Sequence, residues 1–420
     1  MKYAMLAFFD YQSGLAVAAG NTACALEARG EVVSRIRVHP DGSVGPMEEA
    51  SREFDVALLH ANPGSGFVPE LLANMGWDRH ELSRFVTVCA PYYELDAVPS
   101  DWILPLTGMD AIVAPTVFMA RSLARDLPDA RVLYSPQTVL LPAGVEADRK
   151  RFGIPSHVFA FVTSFDLGSD VIRKNPWGAI DAFRRAFPDD SGVRLVVRAK
   201  QTSGAAAPMT LQRDLLAFAA NDPRVILVQG NLDYREVLSL YASADAYVSL
   251  HRAEGLGLGP MEAMALGLPV IATGWSGNMD FMSASNSMPV AFELAPLDVP
   301  EDSPYHGLVP EERAYWAEPD IDDAARAMRT IRSDDALRLR LGVQARCDIE
   351  ARRQRFLKAE FADEIGEMLR HGYLHGAQHR AHVGSLSELL VLHGRKNARP
   401  SMLRRLVRRV ARQIRGVPRH

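Results

Sequence analysis

The sequence predicts an α/β fold built from two Rossmann-like halves, and three observations predict it. Short apolar runs rich in Val, Ile and Leu alternate with longer helical patterns, the order expected of βα units around a parallel sheet. The alternation restarts after LLPAGVEADRKRFGIPSH at 140–157, whose prolines, glycines and charge cluster mark an exposed connection between domains. A length of 420 residues fits two domains, and 48% apolar with 23% charged residues suffices for two cores. Disorder is excluded as the dominant state. So is a disulfide scaffold: Cys24, Cys89 and Cys347 lie far apart without metal-ligand spacing, which fits a reducing cytosol. The apolar run at the start is too short for a secretory signal, and no stretch approaches the ~18–20 apolar residues of a membrane span.

The first half, 1–150, carries strand patterns at 3–9, 32–38, 56–60, 85–89, 111–114 and 131–134, with helical stretches such as 16–28 and 117–126 between them. Several strands, DVALLH among them, are almost wholly apolar, as in sheets buried on both faces. The second half, 151–345, repeats the pattern with strands at 158–162, 194–197, 225–228, 246–250, 269–272 and 289–292. A helical pattern fills 321–369, and 346–382 reads as a helical connector. Within it, HGYLHGAQHRAH spaces His371, His375 and His379 four apart. Its two glycines and the lack of a completing carboxylate or cysteine favour a solvated connector over a metal site. Open parallel sheets bind ligands beyond the carboxyl ends of their strands, so two such domains facing each other predict an interdomain cleft.

The net charge of −4 hides a segregation. Ten Lys or Arg and no acid lie in 394–420, and taking that +10 from −4 leaves −14 for the first 393 residues. Within the tail, 383–420, apolar Leu403, Leu406, Val407, Val410, Ile414 and Val417 recur at spacings of three and four, with arginines between. Residues 402–417 therefore read as a basic amphipathic helix suited to an anionic membrane surface, with packing on the acidic body or an acidic partner as the alternative. Nucleic acid is disfavoured, because no aromatic residues interleave the charges.

The stretch SLHRAEGLGLGPMEAMALGLPVIATGWSGNMDFM, 249–282, concentrates the chemistry. A strand runs into a turn bearing Gly255, Gly257 and Gly259, and Pro260 opens a helix, an arrangement whose free N–H groups and dipole favour phosphate. Glu254 and Glu262 stand eight apart around this turn. Beside a phosphate, a carboxylate needs donors of its own, and sugar hydroxyls supply them; a helix-dipole role for Glu262 is the alternative.

EGLGLGPMEAMALGLPVIAT resembles the signature of retaining glycosyltransferases of family 4, which have the GT-B fold and a Glu-x7-Glu pattern. DYQSGLA, YYELDAVPSDW, DAIVAPTVFMA, FDLGSDVIRKNPWGAIDAFRRAF, YASADAYVSLHR and YWAEPD resemble further blocks of the family in the expected order, over about 10–320. The likeness is strongest to the branch of bacterial polysaccharide mannosyl- and glucosyltransferases. It implies a GT-B protein with a C-terminal helical extension that binds a GDP- or UDP-linked sugar without a cofactor. Glu254 would hold sugar hydroxyls, Glu262 the ribose, and Gly255, Leu256, Gly257 and Leu258 the diphosphate through their amides.

Lys174 in RKNP matches the lysine that neutralises the departing diphosphate, where preorganised cations matter most. An Arg that many members carry about six residues earlier has no match in TSFDLG, which leaves Arg173, Arg198 or Lys200 to supply the charge. No Asp-x-Asp metal motif stands in a suitable loop, so metal-independent transfer is expected. Base recognition is expected around residues 229–232.

In the first half, the resemblance places Gly14 of SGLA against the donor phosphate, with an ordinary βα turn as the alternative. It gives His60, at the end of VALLH, a hydrogen bond to donor sugar or phosphate; a strand-end histidine satisfied by backbone is the alternative. Tyr93 and Glu94 in YYELD suit a sugar acceptor through an aromatic face and a carboxylate, or else form a packed loop. Asn278 and Asp280 touch the donor or shape their loop. The expected function is hexosyl transfer, mannose or glucose, to a carbohydrate or lipid-linked acceptor in surface polysaccharide synthesis. It is expected in the cytoplasm or on the inner face of its membrane. A nucleotide-sugar epimerase and a non-catalytic membrane-recruited scaffold remain the alternatives.

Overall fold

The computed structural model describes residues 1–45, 53–64, 66–167, 169–200, 209–301, 303 and 305–393; the basic pattern at 402–417 lies outside the described residues. The chain forms two compact units. The first comprises Met1–Thr138, Gly307–Arg313 and the chain from Arg353 on; the second comprises Val139–His306 and Ala314–Arg352.

In the first unit, β1 (Lys2–Ala7), β2 (Val32–Arg37), β3 (Val56–His60), β4 (Val86–Cys89), β5 (Ala111–Ala114) and β6 (Val132–Tyr134) form one sheet, order β2-β1-β3-β4-β5-β6. Every pairing in it is parallel. Its helices are α1 (Gly14–Ala28), α2 (Phe67–Asn74), α3 (Arg79–Leu82), α4 (Ile103–Thr107) and α5 (Val117–Asp126). Ser13 caps α1 by accepting from the Ala16 N–H, and Thr116 caps α5 by accepting from the Met119 N–H, so both crossovers begin at a side-chain cap. All five residues of β3 are buried, as its apolar run requires.

The second unit repeats the plan with β7 (Phe159–Asp166), β8 (Val193–Lys200), β9 (Val225–Val228), β10 (Ala246–Ser249), β11 (Val270–Thr273) and β12 (Met288–Val290). Their order is β12-β11-β10-β7-β8-β9, again parallel throughout. The helices are α6 (Val171–Lys174), α7 (Pro176–Ala186), α8 (Met209–Asn221), α9 (Tyr234–Ala242), α10 (Leu258–Leu266) and α11 (Ile321–Ser333). Its core joins Phe161, Phe183 and Phe187 to Met328 and Ile331 of α11. A short antiparallel pair, β13 (Phe292–Pro296) with β14 (Tyr315–Pro319), stands apart from the sheet. β12 ends at Val290, short of the expected 292, and Tyr315–Pro319 forms a strand where the sequence pattern predicts none.

The expected division at 150/151 falls instead at Thr138/Val139. The connecting segment packs on the second unit: Arg149 donates to Val158 O (2.9 Å) and pairs with Asp245 (2.5 Å), while Phe152 and Ile154 are buried. The stretch expected as a connector, 346–382, is likewise no separate body. It starts inside α12 (Asp335–Leu357) and continues through α13 (Phe361–Arg370) into α14 (Ala377–His393), which crosses the expected tail start at 383. Phe356, Phe361, Ile365 and Met368 are buried in the first unit's core, beside Tyr3, Met5 and Leu58. Burial of that apolar face decides where these helices belong.

Within this region HGYLHGAQHRAH is not a solvated connector. His379 Nδ1 lies 2.9 Å and His382 Nδ1 3.1 Å from the wholly buried Asp110 Oδ1, to which Tyr373 also donates (3.1 Å). Asp110 Oδ2 accepts from Thr87 N (2.8 Å) and Thr87 Oγ1 (2.9 Å). His371 instead pairs with Glu367 at the end of α13, and His375 is exposed, so the four-residue spacing does not bring the three histidines together. No described helix is long and apolar enough to cross a membrane.

Candidate active site

Parallel strands release their chains at one edge, and in the second unit that edge gathers the charged residues singled out by sequence. After β7 the chain makes the single turn α6, capped by Asp170, whose carboxylate accepts from Arg173 N (2.8 Å). Asn175, at φ 46°, ends that turn and caps α7 by accepting from Gly178 N (3.1 Å). Its amide donates to Leu250 O (2.9 Å), just past β10. RKNP is thus locked against the glycine-rich segment.

Lys174 Nζ forms a direct ion pair with Glu254 Oε1. Arg173, 4% exposed, lies 3.4 Å from the same oxygen and donates to Ala253 O (2.8 Å). Burial alone would push the Glu254 carboxyl upward, but Lys174 and then Arg173 outweigh it and hold the group at about 2. Glu254 is therefore a carboxylate at any physiological pH.

The loop around Glu254 is tightly held. Glu254 N donates to Ser276 Oγ (2.8 Å), and Gly277 N donates to Glu254 O (2.8 Å). A Cβ on Gly277 would stand 2.1 Å from Gly255 O, so only glycine permits this approach of backbone to backbone. Ser276 itself sits at φ 76°, ψ −150°, a region almost reserved for glycine and carrying roughly 1–3 kcal/mol of strain. His251, fully buried, bridges Ser249 Oγ (3.0 Å) and Asn278 Oδ1 (3.0 Å), while Asn278 Nδ2 donates to Thr273 O (2.9 Å). Asn278 thus ties the β10 and β11 loops together, and Asp280 lies 3.8 Å from Arg352.

Gly257, at φ 87°, turns the chain into α10, whose first residue is Leu258; Leu256 is buried. Pro260 is the third helical residue rather than the first, and Glu262 lies beyond the first turn, where the helix dipole has faded. The dipole role for Glu262 therefore falls away. Its buried carboxyl is pushed up to about 7 by desolvation, partly offset by the Tyr234 hydroxyl and Arg198. Of Arg173, Arg198 and Lys200, Arg173 is the one that shares Glu254 with Lys174. Arg198 is buried on β8 and donates to Ser164 Oγ (3.1 Å), and Lys200 pairs with Asp166 (3.0 Å). Residues 229–232 form the exposed loop after β9, at the same edge.

Arg252 and His251 also hold this loop, beyond the residues singled out from the sequence. Arg252 pairs with Glu318, lies 5.3 Å over the Trp316 ring, and accepts through its carbonyl from Ala317 N (2.9 Å). The block YWAEPD is the strand that clasps this loop. The signal was present in the sequence, since HR directly precedes AEG.

In the first unit His60 ends β3 and is 1% exposed. Its Nε2 lies 3.2 Å from Thr22 Oγ1 and 3.4 Å from the Tyr92 hydroxyl. Its Nδ1 is buried without a hydrogen-bond partner among the described residues. Burial lowers its pKa to about 4, so the ring is neutral at pH 7. A small cavity beside it is lined by Thr22, Tyr92, Ser135 and Gln137.

Gly14 opens α1 just after β1. Tyr93 does not offer a face to an acceptor: it is 6% exposed and packs on Trp102, ring centroids 5.1 Å apart, because the segment after β4 turns back into the core. Glu94 is half-buried. Among the described residues no cluster of His, Cys, Asp and Glu is arranged to hold a metal ion.

Residues 163–286, from β7 to the loop before β12, match the family model described as glycosyl transferases group 1. The match takes in Arg173, Lys174, Glu254 and Glu262. No curated protein sequence matches the chain. Among solved structures, sucrose-phosphate synthase from Thermosynechococcus elongatus superposes with a TM-score of 0.61 at 14% identity, covering 89% of this chain and 99% of that one. Anabaena HepE in complex with UDP and glucose gives 0.58 at 14% identity, covering 87% and 100%. The pneumococcal O-GlcNAc transferase GtfA is matched over only 57% of its length, at a TM-score of 0.49 and 14% identity, with 75% of this chain covered. At such identities the likeness shows the fold alone, and the fold is GT-B. Fold and family match together support a glycosyltransferase.

Proposed function

We propose that the protein is a retaining hexosyltransferase of family 4 that moves mannose or glucose from a GDP- or UDP-linked donor to a carbohydrate or lipid-linked acceptor in surface polysaccharide synthesis. The observation that carries this reading is the Arg173–Lys174–Glu254 cluster beside the glycine-rich entry to α10. When the glycosidic bond to the diphosphate breaks, negative charge grows on the leaving group. Lys174, Arg173 and the Leu258 and Gly259 N–H groups that open α10 are preorganised to meet it without solvent reorganisation. Glu254, held as a carboxylate, accepts hydrogen bonds from sugar hydroxyls, and Glu262 accepts them from the ribose. His60 acts as a neutral hydrogen-bonding group, since burial keeps it uncharged.

Cationic side chains in this role imply turnover without a divalent metal, so EDTA is expected to leave the rate unchanged. The test is incubation with UDP-glucose and GDP-mannose, with NMR of the product's anomeric configuration. Transfer with retained configuration supports the reading; release of an epimer without any acceptor, or absence of nucleotide binding, overturns it. The sequence of 402–417 supports docking on the inner membrane face. Deleting 394–420 is expected to weaken binding to anionic liposomes while sparing nucleotide binding; unchanged liposome binding would exclude that role.

A further inference from the structure

The carboxylate assigned to the sugar is also the counter-ion of the cations assigned to the diphosphate. Lys174 Nζ and Arg173 Nη1 converge on a single oxygen, Oε1 of Glu254, within a buried loop. Polar neighbours are committed elsewhere: His251 to Ser249 and Asn278, Arg252 to Glu318, and the Ser276 hydroxyl, which donates to Trp275 O. A diphosphate drawing on Lys174 and Arg173 must therefore compete with Glu254 for them. It can do so cheaply only if Glu254 receives other donors.

A nucleotide sugar brings those donors, because its hydroxyls can bond the carboxylate while its phosphates take the cations. A free nucleoside diphosphate brings the phosphates alone and faces an uncompensated buried carboxylate. We infer that Glu254 is a specificity-determining residue that handicaps the sugar-free nucleotide, so that the donor is retained and the nucleotide product released. This rests on the proposed function and adds a selectivity to the same site. The backbone of the Glu254 loop, pinned through Ser276 and Gly277, gives the carboxylate little room to turn away.

The experiment is calorimetry on the full chain with two probe pairs, UDP with UDP-glucose and GDP with GDP-mannose. In the wild type the sugar-free member of the binding pair is expected to bind more weakly than its sugar-bearing partner. Glu254→Gln keeps the shape and removes the charge. It is expected to bind the free diphosphate more tightly than the wild type, on the order of tenfold, as removing a nearby like charge predicts. Its preference for the sugar-bearing form should disappear. The double variant Glu254→Gln with Lys174→Met should lose the gain, which separates release of the lysine from a general loosening of the loop.

Wild-type binding of the free diphosphate as tight as that of the nucleotide sugar overturns the inference, even if the variant does not fold. So does a Glu254→Gln protein that binds the free diphosphate no better than the wild type. If neither probe pair binds the wild type, the proposed function falls and this inference with it.

Discussion

The two sheets share a plan but place their buried charges at opposite edges. In the second unit the charged cluster of Lys174, Arg173 and Glu254 lies beyond the carboxyl ends of β7 and β10. In the first unit the carboxyl end of β3 carries the neutral group of His60, Thr22 and Tyr92. Its charged cluster, Asp110 with His379 and His382, stands before β5 at the amino edge, where it fastens α14. Open α/β sheets bind ligands at the carboxyl edge, so strand direction separates the buried charge that stands where the proposed chemistry lies from the one that fastens structure.

The sharpest way to break this contrast is to remove charges from each cluster and ask which property fails. Glu254→Ala and Lys174→Ala should each cut turnover by at least ~100-fold, as loss of a preorganised group at a developing charge does, with circular dichroism unchanged. Wild-type rates in either would remove the site from the carboxyl edge. Asp110→Ala should do the reverse, destabilising by about 3–5 kcal/mol through two buried histidines left without their carboxylate. Denaturant melts measure that loss, and turnover per folded molecule should stay within a few-fold of wild type.

A smaller effect tests the loop geometry. Gly277→Ala forces a Cβ against Gly255 O and should cost about 1–3 kcal/mol in urea melts while displacing Glu254 and lowering turnover. A neutral outcome in both would show that the close approach is not required.

The mildest test uses pH and sets Glu262 against Glu254 in the same unit. Glu262 is raised from 4.5 to about 7, so the fold favours its protonated form. Its contribution to stability is fully present below pH 4.5 and is lost as pH rises through 7. Glu254 is lowered from 4.5 to about 2, so its contribution is present above pH 4.5 and lost as pH falls toward 2. Thermal melts of Glu262→Gln should lack the decline between pH 4.5 and 7 that the wild type shows. Its nucleotide affinity should also lack the rise through pH 7 expected when a carboxylate becomes available to the ribose. Identical pH profiles in variant and wild type would show that Glu262 does not titrate in this range.

Much of the fold was legible along the chain, for a local reason. All twelve strands of the two parallel sheets overlap the expected runs: the central ones are continuously apolar because both faces are buried, whereas β2, VVSRIR, is largely unburied and is marked by its β-branched residues. β14 was not legible as a strand: YWAEP alternates weakly and gains its identity from pairing with β13 and clasping Arg252. The site was legible where glycine, proline and acid cluster within a few residues. It was not legible at Tyr93, whose packing on Trp102 depends on a fold-back, or at His251, whose partner Asn278 lies on the next strand's loop.

The sequence by itself determined two βα arrays, a glycine-rich helix entry with two glutamates, and a net charge split between an acidic body and a basic end. Each depends on periodicity, turn chemistry or composition, which act over neighbouring residues. Only the tertiary structure decided that RKNP meets Glu254, that His60 is neutral and enclosed, and that the last described helices belong to the first unit through Asp110. Those outcomes turn on burial and on pairings between residues tens to hundreds of positions apart, and no local pattern encodes the desolvation that sets a buried charge.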